Sequence, residues 1–141
     1  MTEVSNISCS VPFVSSGRLC VLLVDDDEAF RSGLADNLRD DGHSVLAYAA
    51  PSEVPSSAFR AVSVVVTDFD LPGNDGLSFA EHVHAAQPSL PVVVVTAHPD
   101  APAMVNAVAR GFVRLMEKPV DYQSLHRLLH TLVDDGSRAL S

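Results

Sequence analysis

Five short apolar runs, most of them followed by a polar side chain, constrain the fold of this chain more than any other feature. The clearest are LCVLLV from Leu19 to Val24, the run from Ala61 to Thr67, and VVVVT after Pro91. Runs this short and this rich in valine and leucine are typical of strands buried on both faces. Two weaker runs, Val45–Ala49 and Phe112–Glu117, complete a set of five predicted strands.

The segments between these runs have helical spacing. From Glu28 to Asp40, Phe30, Leu34 and Leu38 lie four apart and form one apolar stripe. Four further helices are predicted, at Pro51–Phe59, from Leu77 to the residues before Pro88, at Ala101–Arg110 and at Tyr122–Val133. Five strands alternating with five helices predict an α/β fold with a doubly wound parallel sheet.

Length and composition indicate a single domain. A chain of 141 residues with 47% hydrophobic content can bury one substantial core. Residues 1–17 are serine-rich and offer little apolar surface, which predicts a flexible N-terminal tail. We therefore place the domain at residues 18–134 and expect a short C-terminal tail at residues 135–141.

The charge of the chain argues against several classes of partner. The formal net charge is -9 and the pI is near 4.8, so the surface as a whole would repel a phosphate backbone. No apolar run approaches the roughly 20 residues needed to cross a bilayer, and the N-terminus lacks a basic, hydrophobic leader. We expect no direct nucleic-acid or membrane binding by this chain and a cytoplasmic location.

Polar side chains follow four of the predicted strands. They are Asp25, Asp26 and Asp27 after the first strand, Asp68 after the third, Thr96 at the end of the fourth and Lys118 after the fifth. In doubly wound sheets, sites form outside the carboxyl ends of the strands. If these strands are neighbours, their terminal side chains share one pocket.

Such a pocket would suit the chemistry of phosphoryl transfer to a carboxylate. Clustered carboxylates raise one another's pKa unless a cation lies among them, and Mg²⁺ prefers oxygen ligands that include carboxylate and phosphate. Lys118 is the only lysine in the chain and could pair with one phosphoryl oxygen, and the Thr96 hydroxyl could donate to another. Asp68 would then be the nucleophile.

Four motifs carry a resemblance to a known family. VLLVDDD, VVVTDFDLPGNDG, VVVVTAH and MEKPV are similar, in order and spacing, to the motifs of the receiver domain of two-component response regulators. The resemblance covers roughly Arg18 to Asp134. It implies a five-stranded flavodoxin-like sheet with strand order 2-1-3-4-5, a bound Mg²⁺, and a phosphoryl group taken from the phosphohistidine of a sensor histidine kinase or phosphotransfer protein.

The resemblance also implies roles for individual residues. Asp68 corresponds to the phosphoacceptor, and Lys118 and Thr96 to the conserved-type lysine and the switch hydroxyl. The implied metal ligands are Asp25, Asp26, Asp68 and the backbone carbonyl of Asp70. The peptide bond between Lys118 and Pro119 corresponds to one that is often cis in this family.

Other positions depart from the family's usual pattern or correspond to those that affect phosphate lifetime. Leu115 stands where the family commonly has a switch aromatic, so transmission through an aromatic rotamer is in doubt. Asp70 and His98 lie two residues after Asp68 and Thr96, where the family tunes phosphate lifetime. The implied output is a change in the face formed by the fourth helix, fifth strand and last helix, for partner binding or phosphorylation-dependent homodimerisation.

Alternative functions remain open from the sequence. Asp68, Asp70, Thr96 and Lys118 also imitate the order of catalytic residues in a haloacid-dehalogenase-like aspartyl phosphatase, although such enzymes begin with the nucleophile strand. Apart from that alternative, we do not expect the chain to be an enzyme. It would catalyse only its own phosphorylation and dephosphorylation. The chain could also be the isolated receiver of a DNA-binding transcription regulator.

The histidines do not enter this site. His126 and His130 are four apart and could chelate a metal on one helix face, but no third ligand is evident in the sequence. Packing or surface roles are the expectation for them.

Overall fold

The computed structural model describes residues 17–71 and 76–140. The strands are β1 (Cys20–Val24), β2 (Ser44–Tyr48), β3 (Val64–Asp68), β4 (Val92–Thr96) and β5 (Arg114–Glu117). The helices are α1 (Glu28–Asp40), α2 (Ala58–Ala61), α3 (Gly76–Ala86), α4 (Pro102–Arg110) and α5 (Tyr122–Leu140). The predicted alternation of strands and helices is confirmed.

The five strands form one parallel sheet in the order β2-β1-β3-β4-β5. This confirms the doubly wound α/β fold and the strand order 2-1-3-4-5. The register pairs Val24 with Thr67, Asp68 with Val95, and Thr96 with Glu117. The carboxyl ends of β1, β3, β4 and β5 are therefore adjacent.

Alternate residues of the strands feed two separate cores, one on each face of the sheet. Leu22 of β1 packs with the side chains of α2, α3 and α4, including Phe79 and Met104. Leu23 points to the opposite face and packs with Leu38 of α1 and Leu129 of α5, among others. Most residues of both cores are aliphatic, with Phe59 and Phe79 adding aromatic rings to the first, and the fully buried strands β1, β3 and β4 lie between the two cores.

The segment predicted as a helix at Pro51–Phe59 differs from the prediction. It contains a 3-10 turn at Pro51–Glu53 and the start of the short helix α2, separated by residues 54–57, of which the first, Val54, is extended. Val54 precedes Pro55, and the proline ring disfavours helical backbone in the residue before it. The proline therefore splits the predicted helix into two short turns.

The ends of the elements also differ in places. The third strand begins at Val64 rather than Ala61, because Ala61 closes α2, and the fifth begins at Arg114 rather than Phe112. The last helix continues to Leu140, so most of the predicted C-terminal tail extends α5. The predicted N-terminal tail lies, apart from Gly17, outside the described residues. Within the described ranges, no helix combines the length and apolar character needed to cross a membrane.

Candidate functional site

Three carboxylates meet at the carboxyl ends of β1 and β3. Oxygen atoms of Asp25, Asp26 and Asp68 lie within 4.8 Å of one another. Asp25 is 2% exposed and Asp68 is 4% exposed, whereas Asp26 faces solvent. The sheet thus brings together the acidic residues that the sequence predicted to converge.

Hydrogen bonds hold the loop after β1 in place. The amide of Asp27 donates to Oδ1 of Asp25 at 2.8 Å, and the guanidinium of Arg31 donates to the Asp25 carbonyl at 2.7 Å. Asp27 also lines the cleft beside the cluster, but its side chain accepts from the amide of Phe30, which makes it the N-cap of α1. Three consecutive aspartates therefore divide into two cluster members and one cap.

The electrostatics of Asp25 show the cost of placing these carboxylates together. Burial, with a smaller contribution from the charge of Asp68, raises the pKa of Asp25 to about 6, although the Asp27 amide opposes this rise. A cation among the carboxylates would relieve this cost.

Lys118 approaches the cluster from the end of β5. Its Nζ lies 2.7 Å from Oδ1 of Asp68, and its amide donates to the carbonyl of Thr96 at 2.8 Å. The peptide bond to Pro119 is cis, as the resemblance implied. Burial alone would lower the pKa of Lys118, but contact with Asp68 and the charges of Asp25 and Asp70 raise it above its ordinary value. The ammonium is therefore charged at neutral pH.

The donor set of the cluster fits Mg²⁺. Oδ1 of Asp68 is buried and accepts no well-aligned hydrogen bond from the described residues, despite the ion pair with Lys118. Buried oxygen atoms normally have their hydrogen-bonding capacity filled. An incompletely satisfied carboxylate beside two further carboxylates is the oxygen-rich environment that a hard divalent cation prefers.

The cluster opens into a cleft of about 860 Å³. Its walls include the three carboxylates together with Asp70 and Lys118. Phe30, Pro119 and Val120 supply part of the apolar wall. The cleft offers access from solvent to the buried carboxylate of Asp68.

Thr96, His98 and Leu115 do not line this cleft. The hydroxyl of Thr96 is fully buried and accepts a hydrogen bond from the amide of His98 at 2.9 Å, while the His98 side chain is exposed. Leu115 is half-buried and packs against the core on the α3 and α4 face. Thr96 and Leu115 lie on β4 and β5, and His98 follows β4, so the three residues are near the cleft without lining it.

Gly76 is a site residue that the sequence analysis did not identify. A Cβ at this position would stand against the carbonyl oxygen of Asp68 and only 2.9 Å from its carbonyl carbon. The Gly76 amide donates to the carbonyl of Phe69 at 2.8 Å. The start of α3 therefore packs directly on the backbone that carries Asp68, and only glycine fits there. No local sequence pattern marks this contact.

Comparison with known proteins gives a consistent result. The family model described as the response regulator receiver domain matches residues 21–130. The response regulator protein FleR of Pseudomonas aeruginosa is 35% identical over 106 residues, covering 74% of this chain and 22% of FleR. The DNA-binding transcriptional regulator NtrC of Salmonella typhimurium is 33% identical over 105 residues, again 74% of this chain and 22% of NtrC.

Solved structures agree on the fold. A response regulator receiver domain protein from Clostridium thermocellum has a TM-score of 0.80 at 21% identity, covering 87% of this chain and 99% of that protein. NtrX from Brucella abortus has a TM-score of 0.77 at 26% identity, covering 86% of this chain and 28% of NtrX. The chain spans about a quarter of the length of the curated relatives it matches. These findings do not support the haloacid-dehalogenase-like alternative.

Proposed function

Because this chain belongs to the family of response regulator receiver domains, we propose that it is a signalling module switched by transfer of a phosphoryl group to Asp68. The family's role in two-component phosphorelay signalling is the premise. The observation that carries the assignment of the residue is the buried Asp68 carboxylate, paired with Lys118 and grouped with Asp25 and Asp26 at one cleft.

The proposed step is an in-line displacement at phosphorus. A carboxylate oxygen of Asp68 forms a bond to phosphorus as the donor's phosphorus–nitrogen bond breaks, which leaves an acyl phosphate on Asp68. The departing imidazole nitrogen keeps the electron pair of the broken bond and takes a proton from solvent, so that the donor becomes a neutral histidine. Lys118 neutralises negative charge on the transferring group, because its Nζ already lies 2.7 Å from Oδ1 of Asp68. The donor is the phosphohistidine of a sensor histidine kinase or phosphotransfer protein.

Mg²⁺ is the proposed cofactor. Asp25, Asp26 and Asp68, with the backbone carbonyl of Asp70, would hold the ion, which supplies charge neutralisation to the phosphoryl oxygens. Ionised Asp25 is the form that binds the ion, so its raised pKa makes metal affinity fall in mild acid.

Asp70 and His98 are the proposed modulators of phosphate lifetime. The Asp70 side chain is exposed at the cleft, where its charge disfavours an attacking hydroxide. The His98 side chain is exposed after β4, and it could orient a water molecule only after moving toward the cleft, because it does not line the cleft. The two residues thus act in opposite directions on hydrolysis.

The proposed output surface consists of α4, β5 and α5. Val105 and Val108 of α4 are the large hydrophobic side chains that stand exposed within the described ranges, at 55% and 40%. Thr96 and Leu115 would link Asp68 to this surface, with Leu115 changing its packing in place of the usual aromatic. A partner, or a second copy of the chain in a phosphorylation-dependent homodimer, would bind here.

We do not propose turnover of any separate substrate. The chain would catalyse its own phosphorylation and dephosphorylation, in the cytoplasm, without direct contact to nucleic acid or membrane. A second candidate for the output is control of transcription, favoured by the similarity to NtrC, a DNA-binding transcriptional regulator. Binding of the phosphorylated product of the intact gene to promoter DNA would test that output.

The phosphoacceptor role is tested with Mg²⁺ and a small phosphodonor such as acetyl phosphate, followed by intact mass spectrometry. We expect one added phosphoryl group in the wild type and in Asp70→Asn, and none in Asp68→Asn or with a chelator. Asp70→Asn is the matched control because Asp70 lines the same cleft and offers only its backbone carbonyl to the metal. Unchanged phosphorylation of Asp68→Asn would refute the assignment.

A further inference from the structure

Three histidines meet at the opposite end of the sheet from the acidic cleft. His43 lies just before β2, and His126 and His130 lie one turn apart on α5. The Nε2 atom of His126 is 2.7 Å from Nε2 of His43 and 3.2 Å from Nε2 of His130. One ring nitrogen from each of the three lies within 4.8 Å of the other two. His43 is the third ligand that the sequence did not reveal.

We propose that His43, His126 and His130 form a binding site for a late first-row divalent metal ion, with Zn²⁺ as the representative ion. Imidazole nitrogen suits zinc, copper and nickel, and three protein ligands with one open position are a common zinc arrangement. Zinc–nitrogen bonds of about 2.0–2.1 Å place tetrahedral ligand atoms roughly 3.3 Å apart. The observed separations of 2.7 and 3.2 Å need only a small opening to accept the ion.

The rings are held in place by contacts outside the cluster. The amide of Leu19 donates to Nδ1 of His43 at 2.9 Å, and the Tyr122 ring stacks on His126 with ring centroids 5.3 Å apart. The Tyr122 hydroxyl in turn donates to the Asp41 carboxylate at 2.7 Å. Ligands fixed by such outer contacts lose little freedom when a metal binds.

Charged side chains near the cluster act in both directions on a bound cation. The negative charges of Asp41 and Asp134 favour a cation near the cluster, while the positive charge of Arg18 opposes it.

The ion takes the place of a shared proton. Because Nδ1 of His43 accepts the Leu19 amide, its Nε2 carries the ring proton and donates it toward Nε2 of His126. Metal binding releases this proton to solvent and leaves the electron pair of the nitrogen–hydrogen bond on Nε2 to bind the metal, so that His43 ligates as an imidazolate. Nδ1 continues to accept from Leu19.

A metal here would join α5 to the start of β2 without involving the acidic cleft. Strands of five residues, roughly 17 Å long, lie between the two ends of the sheet. The proposal therefore does not depend on Asp68 being the phosphoacceptor.

The test is calorimetric titration of untagged, metal-stripped protein with Zn²⁺ in buffer containing millimolar Mg²⁺. We expect one bound ion and a loss of affinity of at least about tenfold in His126→Gln, because removal of even an outer partner weakens metal sites by about 10–100-fold. His84→Gln, which removes an exposed histidine of α3, and Asp68→Asn, which disables the acidic cluster, should bind Zn²⁺ like the wild type.

Absence of Zn²⁺ binding by the wild type, equal binding by His126→Gln, or loss of binding in Asp68→Asn would overturn the proposal. Should His126→Gln fail to fold by circular dichroism, the imidazole nitrogen resonances of the wild type decide. Zn²⁺ must shift the Nε2 resonances of His43, His126 and His130 together, and shifts confined to other histidines contradict the site.

Discussion

Two buried groups at opposite ends of the sheet should give this protein opposing responses to acid. The pKa of His43 is lowered from 6.5 to about 4, mainly by burial, so the folded protein holds fewer protons on it than the unfolded chain does. The pKa of Asp25 is raised from 3.8 to about 6, again mainly by burial, so there the folded protein holds more. Linkage gives these two shifts opposite effects on stability.

The direction in which stability changes as pH falls can be worked out for each group separately. Below pH 6.5 the unfolded chain takes up a proton at His43 that the folded protein refuses until about pH 4, so stability is lost as pH falls through this window. Below pH 6 the folded protein takes up a proton at Asp25 that the unfolded chain refuses until about 3.8, so stability is gained as pH falls.

One pKa unit corresponds to about 1.4 kcal/mol, and integration from pH 7 to pH 5 gives a loss of about 2 kcal/mol from His43 and a gain of about 1 kcal/mol from Asp25. The two groups together should therefore lower the free energy of unfolding by about 1 kcal/mol over this range. Removing one group should expose the effect of the other.

The perturbations are His43→Asn and Asp25→Asn, since each keeps an oxygen for the amide that now donates to the native side chain and neither titrates. Urea unfolding in metal-free buffer gives the free energy of unfolding at each pH. Between pH 7 and pH 5, Asp25→Asn should lose about 1 kcal/mol more than the wild type does, and His43→Asn should instead gain about 1 kcal/mol. If the free energy of unfolding changed with pH in the same way in the wild type, His43→Asn and Asp25→Asn, the reasoning would be refuted.

Three further predictions concern the cleft. Lys118→Met should slow phosphorylation by small phosphodonors by about a hundredfold through loss of the charge that neutralises the phosphoryl group, and Lys118→Arg should recover only part of the rate, as stopped-flow traces would show; equal rates for all three proteins would contradict this. Gly76→Ala should lower both stability and phosphorylation rate because its Cβ collides with backbone. Its control, Gly33→Ala in α1, meets no atom within 4 Å and should be neutral or raise stability by up to about 1 kcal/mol. Identical urea midpoints for the two variants would count against this prediction. Asp70→Asn should shorten the half-life of the phosphorylated protein and His98→Ala should lengthen it, as time courses of phosphate release would measure; an unchanged half-life in His98→Ala removes that residue from hydrolysis.

The sheet was predictable because its strands carry their own signal. Runs such as VVVVT are too short for buried helices and too apolar for loops, and the structure places this run at Val92–Thr96 as a fully buried strand. Helix α1 was predictable from Glu28 to Asp40 because its apolar stripe lies between a capping Asp27 and a terminal Asp41-Gly42. The second helix was not predicted correctly, since Pro55 interrupts a weak pattern.

The candidate site was predictable only as a set of strand ends. Parallel strands bring their carboxyl ends to one edge, so Asp25, Asp68 and Lys118 had to converge once the strands were identified. The packing of Gly76 on the backbone of Asp68 depends on the angle at which α3 meets the sheet, which no local pattern encodes.

The histidine cluster could not be predicted from the sequence, for a similar reason. His43 and His126 are 83 residues apart, and their contact follows from the packing of α5 against the end of α1 and the turn before β2. Helical spacing revealed His126 and His130 as a pair, but a third ligand from a different element has no signature in the chain.

The most direct test of the account is to locate the phosphoryl group itself. Protein phosphorylated with Mg²⁺ and a small phosphodonor is treated with borohydride, which reduces an aspartyl phosphate to homoserine, and is then digested for peptide mapping. The account predicts homoserine at residue 68 alone, and none when a chelator removes the metal. Reduction at Asp25, Asp26 or Asp70, or a phosphoryl group on a histidine, would contradict it.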